Sequence, residues 1–362
     1  MSNRLIYSPK NSIRCAPLRS FKSDAAAFRF GCWFVATFGN QRAAQWCEEN
    51  GIVVTRAGGE GTNAAGGNLV PAEFLSVLYS VLDLRGVIRA AGEVIPIGRE
   101  VASATKVLTG LTAYFTSENT ASTSSDPVLG ALNFIAKKLS TYTIISSELE
   151  EDALIDIGDM VMTLAAYAFA SKEDDCGING DGTQTYGGIV GIVPKLLDGA
   201  HNAGKVTAAA GHDTFLEIDG TDLTNLMSKV PAYAVADAGW FVSQMGYATV
   251  LCRLAVSAGG ILIQETATGR RLPHFMGFPV YLTQVLPQVT STLLGNVMLL
   301  FGDMRRAVTL ADRRQATIAR ADQAQKFVED QVQFRVTERI DINVQELGDN
   351  TTAGPIVGLV GG

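Results

Sequence analysis

Bulky apolar residues recur at helical spacing in several stretches of this chain and alternate with polar ones in another. Phe28, Phe30, Trp33, Phe34 and Phe38 follow Asp24, whose carboxylate suits a helix start, and predict a helix from Asp24 to about Phe38. A second short helix over about Gln41–Asn50 is ended by Gly51 and anchored by Trp46. Phe74, Leu75, Leu78 and Leu82 predict a helix over Ala72–Leu82. The longest pattern runs from Ser147 to Lys172. Ser147 and Glu150 have capping-box spacing, and Leu154, Ile157, Val161, Leu164 and Ala168 form one stripe. Acidic residues crowd its first half, where the helix dipole favours them, and the helix is expected to stop near Gly177. Near the end, Phe334, Val336, Ile340, Ile342 and Val344 alternate with Arg335, Thr337, Arg339, Asp341 and Asn343, the pattern of a strand with one buried face.

Between the helices the pattern is β. Strands are expected near Glu93–Ile97, Leu111–Phe115 and Leu132–Ile145. The Ser/Thr-rich Thr116–Gly130 lies between the last two, as the polar tip of a long hairpin. Residues 177–320 alternate Gly-rich turns with short helices (Asp222–Val230, Gly239–Val256) and short strands (Leu272–Gln284, Val297–Phe301). Phe301–Arg314 reads as a turn at Gly302-Asp303, a strand from Ala307 to Leu310 and a charged corner. Thr351–Gly362 is apolar and Gly-rich without clear periodicity. At the other end, residues 1–23 read as a polar, basic, extended arm. Gly58–Gly67 reads as a flexible linker, so the first 65 residues look like an arm with a helical clip.

A chain of 362 residues, 47% of them hydrophobic, can bury a core without disulfide or metal staples. The net charge of −7 disfavours sequence-specific DNA binding, which needs phosphate-neutralising cations. The charge is uneven. Arg4, Lys10, Arg14, Arg19, Lys22 and Arg29 face only Asp24 at the start. Glu148, Glu150, Glu151, Asp152, Asp156, Asp159, Glu173, Asp174 and Asp175 face only Lys172. The basic arm and the acidic helix either attract one another, within or between subunits, or form two solvated surfaces. The five cysteines include no CxxC pair and are expected to be reduced thiols in a cytoplasmic setting. The opening residues are polar and basic rather than a signal peptide, and no apolar run suggests a membrane span.

Candidate chemistry is sparse. Asp174, Asp175, Asn179 and Asp181 invite a calcium reading, but EF-hand spacing fails and no Glu closes the loop, so a structural turn is expected. His201, His212 and His274 have no Cys or His at ligand spacing. His212-Asp213 is read as loop decoration rather than a general-base pair. Gly187–Gly191 lacks the lysine and the preceding strand of a phosphate cradle. Arg305, Arg306, Arg313 and Arg314 either bind phosphates, pair with acidic groups across subunit contacts, or stay solvated. Trp33, Trp46 and Trp240 are expected to anchor packing rather than stack on bases.

Four ordered segments carry a resemblance: Gly66–Pro71 with its following helix, Asn179-Gly-Asp-Gly-Thr183, Met276-Gly-Phe-Pro-Val280, and Phe301–Arg314 with a later strand ending in Thr337-Glu338-Arg339. Over about residues 66–345 the chain resembles major capsid proteins of tailed phages with the Hong Kong 97 shell fold. The resemblance implies an α+β subunit with a structural role, no enzyme activity and no cofactor or metal. It implies an N-terminal arm (1–65), the start of a peripheral domain (66–92), an extended E-loop with flanking strands (93–145) and a spine helix (146–184). A mainly axial domain (185–320), a C-terminal strand region returning to the peripheral domain (321–350) and a tail (351–362) follow. Arm and E-loop would reach across neighbouring subunits. A long arm and a long polar-tipped hairpin fit that expectation, because both need something to lie on.

Some family members weld subunits through an isopeptide bond between an E-loop Lys and a peripheral-domain Asn, helped by a Glu. Aligned without gaps, Ser122 stands at the Lys position, Asp330 at the Asn and Thr337 at the Glu, with Glu338 one step away. A serine forms no stable amide and an aspartate has no amide leaving group, so no covalent chain-mail is expected. Lys106, nearer the start of the hairpin, supplies the amine only in a shifted register. Residues expected at subunit contacts are Arg4, Arg14, Arg19, Trp33, Trp46, Lys106, Glu118, Ser122, Asp126, Glu150, Asp152, Arg305, Arg306, Arg313 and Arg314. The implied partners are copies of the chain in pentamers and hexamers, a portal protein, scaffold, protease or decoration proteins, and packaged double-stranded DNA held non-specifically, with no membrane. The implied location is the virion, after assembly in the host bacterial cytoplasm. The short start leaves no room for a long scaffolding coiled coil, which implies a separate scaffold or none. An encapsulin-type nanocompartment is the alternative within the same fold, and an α/β enzyme with an unrecognised site the alternative outside it.

Overall fold

The structure is a computed structural model. It describes residues 24–37, 41–52, 54, 68–69, 86–99, 101–109, 113–116, 118, 121, 123–126, 128–146, 156–257, 262–265, 271–321 and 331–362. Along the chain run α1 (Asp24–Thr37), α2 (Gln41–Glu49), β1 (Asn68–Leu69), α3 (Val87–Ala91), β2 (Glu93–Pro96), β3 (Val101–Thr109), β4 (Val128–Ile135) and β5 (Lys137–Ser146). Next come α4 (Asp156–Asn179), α5 (Ile192–Leu197), β6 (Lys205–Thr207), α6 (Gly220–Lys229), β7 (Gly239–Val242), α7 (residues 244–257), β8 (Leu262–Glu265), β9 (Arg271–Phe275) and β10 (Phe278–Leu282). β11 (Val297–Gly302), the helical turn α8 (Met304–Ala307), β12 (Val308–Ala321), β13 (Gln331–Val344) and β14 (Ile356–Val360) complete it. Two compact units divide the chain. The first gathers Met1–Ala90, Lys138–Asp175 and Arg314–Arg339; the second gathers Ala91–Lys137, Cys176–Arg313 and Ile340–Gly362.

The first unit is built on aromatic packing. Phe30, Trp33 and Phe34 of α1, Ala43, Ala44 and Cys47 of α2, Val161, Met162, Ala165, Ala166 and Phe169 of α4, and Phe334 and Val336 of β13 share one buried cluster. Phe34 stacks on Phe334 with ring centroids 5.4 Å apart. Each fully buried aromatic contributes roughly 2–3 kcal/mol by removing its surface from water. Burial, with the neighbouring Cys47, pushes the Cys32 thiol up to about 12, so it stays protonated and inert.

The second unit holds a seven-stranded sheet in the order β6-β14-β11-β7-β10-β9-β8. At its centre Trp240 of β7 meets Phe301 of β11 at 4.4 Å between ring centroids. β3 and β4 form a separate antiparallel ribbon, paired from Val101↔Ile135 to Thr109↔Val128 with a register shift between Val107 and Thr109. Phe134 roots the ribbon against Ile97, Ala136 and Ala311. β12 and β13 lie in a further sheet ordered β1-β12-β13-β5, with β2 pairing in parallel with β12.

Several local expectations are corrected. The ascending strand of the hairpin is Val101–Thr109, and residues 113–116 have no regular structure. The small alanines of β3 hid its alternation. The strand expected over Leu132–Ile145 breaks at Ala136 into β4 and β5, which take different partners. Gly239–Val242 is a strand rather than the start of a helix: all four residues are buried, and a strand covered on both faces has no polar alternation to reveal it. The expected strand Leu272–Gln284 is a hairpin turning at Met276-Gly277, where both residues have positive φ. α4 continues past Gly177 to Asn179. Its buried face runs through Val161, Met162, Ala165, Ala166, Phe169 and Ala170, leaving Leu164 48% exposed. Alanines let α4 approach its neighbours closely, and that choice of face overrides the stripe of larger residues. Ala307 ends a helical turn rather than opening a strand, and Arg313 and Arg314 lie inside β12 rather than at a corner. Ile356–Val360, unreadable by periodicity, is a wholly buried strand between β6 and β11. The arm over 1–23, the linker, the helix over 72–82 and the Ser147/Glu150 cap lie outside the described residues.

Candidate assembly interface

The stretch Phe301–Arg314 is a rigid joint. Gly302 leaves β11 at φ 140, and a Cβ there would come within 2.1 Å of the Pro355 carbonyl oxygen, so only glycine fits. Asp303 then caps α8, accepting from the amides of Arg305 and Arg306 at 3.0 and 3.4 Å. Arg306 Nε returns to Asp303 Oδ2 at 3.2 Å, and its guanidinium lies 5.6 Å from the centroid of the Tyr233 ring. The Tyr233 hydroxyl donates to Glu346 Oε1 at 3.1 Å. Burial and then the Glu346 charge push that hydroxyl up to about 12, so it remains a donor at neutral pH. The joint thus presents Arg305 and Arg306 on an exposed face with their backbone fixed.

In the first unit a buried ionic centre fixes α3 against α4. Arg89 donates from Nε and Nη2 to Glu173 at 2.7 and 2.8 Å and from Nη2 to Glu338 Oε1 at 2.7 Å. Asp174 accepts from the amides of Val87 and Ile88, the first two residues of α3, at 2.9 Å each. All four charged residues are buried. Thr317 Oγ1 and Thr337 Oγ1 lie 2.6 Å apart between β12 and β13.

In the same unit β5, α4 and β13 line an open, largely apolar groove of about 520 Å³. Its rim is Tyr142, Ile144 and Leu164, each between 41% and 55% exposed; Met160, Phe334 and Val336 lie deeper. In the second unit the loop joining the two ribbon strands carries the most exposed aromatic side chain of the described residues, Phe115, next to the half-exposed Tyr114.

The acidic residues read for calcium serve separate local partners: Asp174 the α3 amides, Asp175 the Lys172 ammonium at 3.0 Å, Asn179 the Val285 carbonyl, and Asp181 the Thr183 amide. His212 pairs with Asp222 rather than Asp213, its Nδ1 lying 2.6 Å from Asp222 Oδ2. Among the described residues His212, Asp219 and Asp222 bring ligand-type atoms within 4.8 Å of one another. Their oxygens are already engaged: Asp219 caps α6, and Asp222 accepts from the amides of Asp219 and Ala209. The hydrogen bond and charge of Asp222 raise the His212 pKa above its usual value. Burial works to raise that of Asp222, but His212 and the backbone donors outweigh it and hold the carboxyl low.

Of the residues singled out in the sequence, Trp33 is buried in its own chain's core, and Trp46 is partly buried edge-on against Phe28. Glu118 and Asp126 are exposed in the ribbon loop, and the Lys106 backbone pairs with Gly130. Arg313 is partly buried, and Arg314 is described only as backbone in β12. Arg4, Arg14, Arg19, Ser122, Glu150, Asp152 and Asp330 lie outside the described residues. Arg89 and the apolar groove were missed. Arg89 lies far in sequence from its carboxylate partners and carries no motif. The groove exists only because three distant segments meet.

Residues 66–346 match the phage capsid family. No curated protein sequence matches the chain. Among solved structures, the capsid of a native GTA particle computed with C5 symmetry is similar at a TM-score of 0.58 and 18% identity, over 84% of this chain and 95% of that one. A chain of Mycobacterium phage Bobi is similar at 0.52 and 17%, over 85% and 96%. The holo-SrpI encapsulin complex from Synechococcus elongatus PCC 7942 is similar at 0.50 and 12%, over 83% and 92%.

Proposed function

The chain belongs to the phage capsid family, and we propose that it is the major capsid protein of a tailed phage or prophage, assembling into pentamers and hexamers of a closed icosahedral shell around double-stranded DNA. The observation that carries this reading is the family match across residues 66–346, joined to a fold whose neighbours are capsids. Two features support self-assembly: a ribbon with exposed aromatics at its tip, and an open apolar groove. Shells of this kind need heterologous contacts that close into rings; the GTA capsid neighbour is described with C5 symmetry.

The shell is proposed to be non-covalent. The Thr337 hydroxyl, at the position of the assisting Glu, is buried against Thr317, and Glu338 is held by Arg89. That both side chains are engaged within their own chain supports a shell held without isopeptide bonds. Contact with packaged DNA is proposed to be weak and non-specific, given the net charge of −7. A portal protein, with scaffold, protease or decoration proteins, would complete the particle, assembled in the host cytoplasm. Similarity to an encapsulin favours a cargo compartment as the second reading; a neighbouring cargo enzyme with a docking peptide would support it, and neighbouring portal and protease genes the phage.

Negative-stain electron microscopy of the purified protein tests the shell. Closed particles hundreds of Å across are expected. Discrete dimers or tetramers at high concentration would overturn the reading in favour of an enzyme-like oligomer.

A further inference from the structure

The chain contains two Asn-Gly pairs, Asn50-Gly51 and Asn179-Gly180. Glycine leaves its backbone nitrogen open to approach by the preceding side-chain amide, because it has no side chain of its own to shield it. The fold treats the two pairs differently. Asn179 ends α4, and its side-chain amide donates to the Val285 carbonyl at 3.0 Å. Gly180 is buried, with its amide held by the Cys176 carbonyl at 3.1 Å. A Cβ at Gly180 would collide with the Cys176 and Ile189 carbonyl oxygens, so that turn has no room to move. Asn50 and Gly51 are both exposed, and a Cβ on Gly51 would meet nothing within 4 Å.

The exposed pair is the stop of α2. Gly51 takes φ 71, its amide donates to the Glu48 carbonyl at 3.2 Å, and the Ile52 amide donates to the Cys47 carbonyl at 2.9 Å. That is a Schellman stop. It turns Ile52 into the buried cluster shared with α1, α2 and α4. Asn50 Nδ2 donates to the Trp46 carbonyl at 2.8 Å. Bonds at an exposed helix end open at little cost. Glu48 and Glu49 precede Asn50, and the last turn of α2 holds no basic residue. A further carboxylate at this end would therefore be opposed by the helix dipole and by both glutamates.

We propose that Asn50 is a self-modifying site, which deamidates and isomerises in the folded chain with water as the only co-reactant and so releases Ile52 from the stop of α2. The reaction does not depend on the shell reading. When the last turn opens, the Gly51 nitrogen gives up its proton to solvent and attacks Asn50 Cγ. A C–N bond forms, the Cγ–Nδ2 bond breaks, and Nδ2 takes up a proton and leaves as ammonia. Water then opens the succinimide ring. Addition at Cγ gives aspartate. Addition at the Asn50 backbone carbonyl carbon gives isoaspartate, whose main chain runs on through Cβ and Cγ. Nothing is oxidised or reduced; one water is taken up for one ammonia released. Both products carry the opposed carboxylate. Isoaspartate also inserts an extra carbon into the main chain at the stop, so the Schellman bonds and the seat of Ile52 are not kept together.

The test incubates the full folded chain in heavy-oxygen water at mildly alkaline pH, then digests it with trypsin in ordinary water. Tryptic peptide 43–56, which carries Asn50, should lose ammonia, gain one heavy oxygen and split into two products, one of them a substrate of isoaspartyl methyltransferase. Peptide 173–195, which carries Asn179, should convert at least about tenfold more slowly, because its turn must first open. In urea the two should convert at similar rates. Conversion of the Asn50 peptide in urea but not in the folded chain would overturn the site, as would equal conversion of both pairs in the folded chain. In parallel, the unfolding temperature of the parent should fall as the converted fraction rises. Asn50→Gln keeps a side-chain amide but closes the larger ring far more slowly, and should hold its unfolding temperature through the same incubation. Freshly made Asn50→Asp should fall by less than the converted parent, since it has the charge without the extra main-chain carbon. An equal fall in Asn50→Gln, or no fall in the converted parent, would overturn the release of Ile52.

Discussion

Arg89 grips Glu173 through two parallel hydrogen bonds of 2.7 and 2.8 Å, and the same guanidinium holds Glu338, 249 residues away from it in sequence. Two carboxylates around one cation, all out of water, make that cation hard to replace. Arg89→Met should therefore cost about 3–5 kcal/mol by stranding buried negative charge. Urea unfolding of dissociated subunits would report it as a lower midpoint. The triple variant Arg89→Met, Glu173→Leu, Glu338→Leu should recover most of the loss, because no charge is then left buried. An unchanged midpoint for Arg89→Met would contradict the role assigned to the pair.

Thr317 and Thr337 satisfy each other's hydroxyls. Thr337→Val should cost about 1–3 kcal/mol by leaving Thr317 without its partner, whereas the double valine variant should lie close to the parent chain. A double-mutant cycle in urea measures the difference, and additive losses would show the hydroxyls to be independent.

Assembled particles boiled in denaturant should resolve to the mass of one chain, 38.4 kDa as the sequence stands. A ladder of linked chains, each step lighter by ammonia or water, would mean that isopeptide bonds form by another route.

The His212–Asp222 pair predicts a pH dependence with a definite sign. The His212 pKa is raised in the folded chain from 6.5. Its contribution is fully present below that ordinary value and fades as pH rises through the folded one. The Asp222 pKa is lowered from 3.8, so its contribution is present above that value and fades as pH falls through the folded one. His212→Gln should lower the unfolding temperature most at about pH 5.5 and least at about pH 9. The negative charges of Asp219 and Glu217 add to the same trend. An equal deficit at both pH values would assign the pair no role in the linkage.

Gly302→Ala places a methyl group where the Pro355 carbonyl already stands, at a φ that L residues rarely adopt. A loss of at least about 1–3 kcal/mol is expected, read by circular dichroism as a lower unfolding temperature. A soluble variant with parental stability would mean that the joint yields more than its geometry implies.

The elements that the sequence announced were those marked by apolar alternation or by residues that start and stop helices. The β13 alternation of Phe334, Val336, Ile340, Ile342 and Val344 matches five buried side chains. The start of α1 at Asp24 and the end of α2 before Gly51 fall where capping chemistry puts them. Wholly buried strands were not legible. Gly239–Val242 and Ile356–Val360 are covered on both faces, so no polar residue marks their period. In the candidate interface the exposed Glu118, Asp126, Arg305 and Arg306 could be read from charge and loop position. The groove could not, because its walls come from β5, α4 and β13.

By itself the sequence determined the family, through ordered short motifs, and the local geometry that single residues impose, such as the glycine at 302 and the cap at 303. Only the tertiary structure decided which face of α4 is buried, that Arg89 meets Glu173 and Glu338, and that a groove forms between β5, α4 and β13. Those outcomes depend on packing between segments far apart in the chain. Close approach of backbones and desolvation of charge are properties of the assembled core, and no local pattern of residues encodes them.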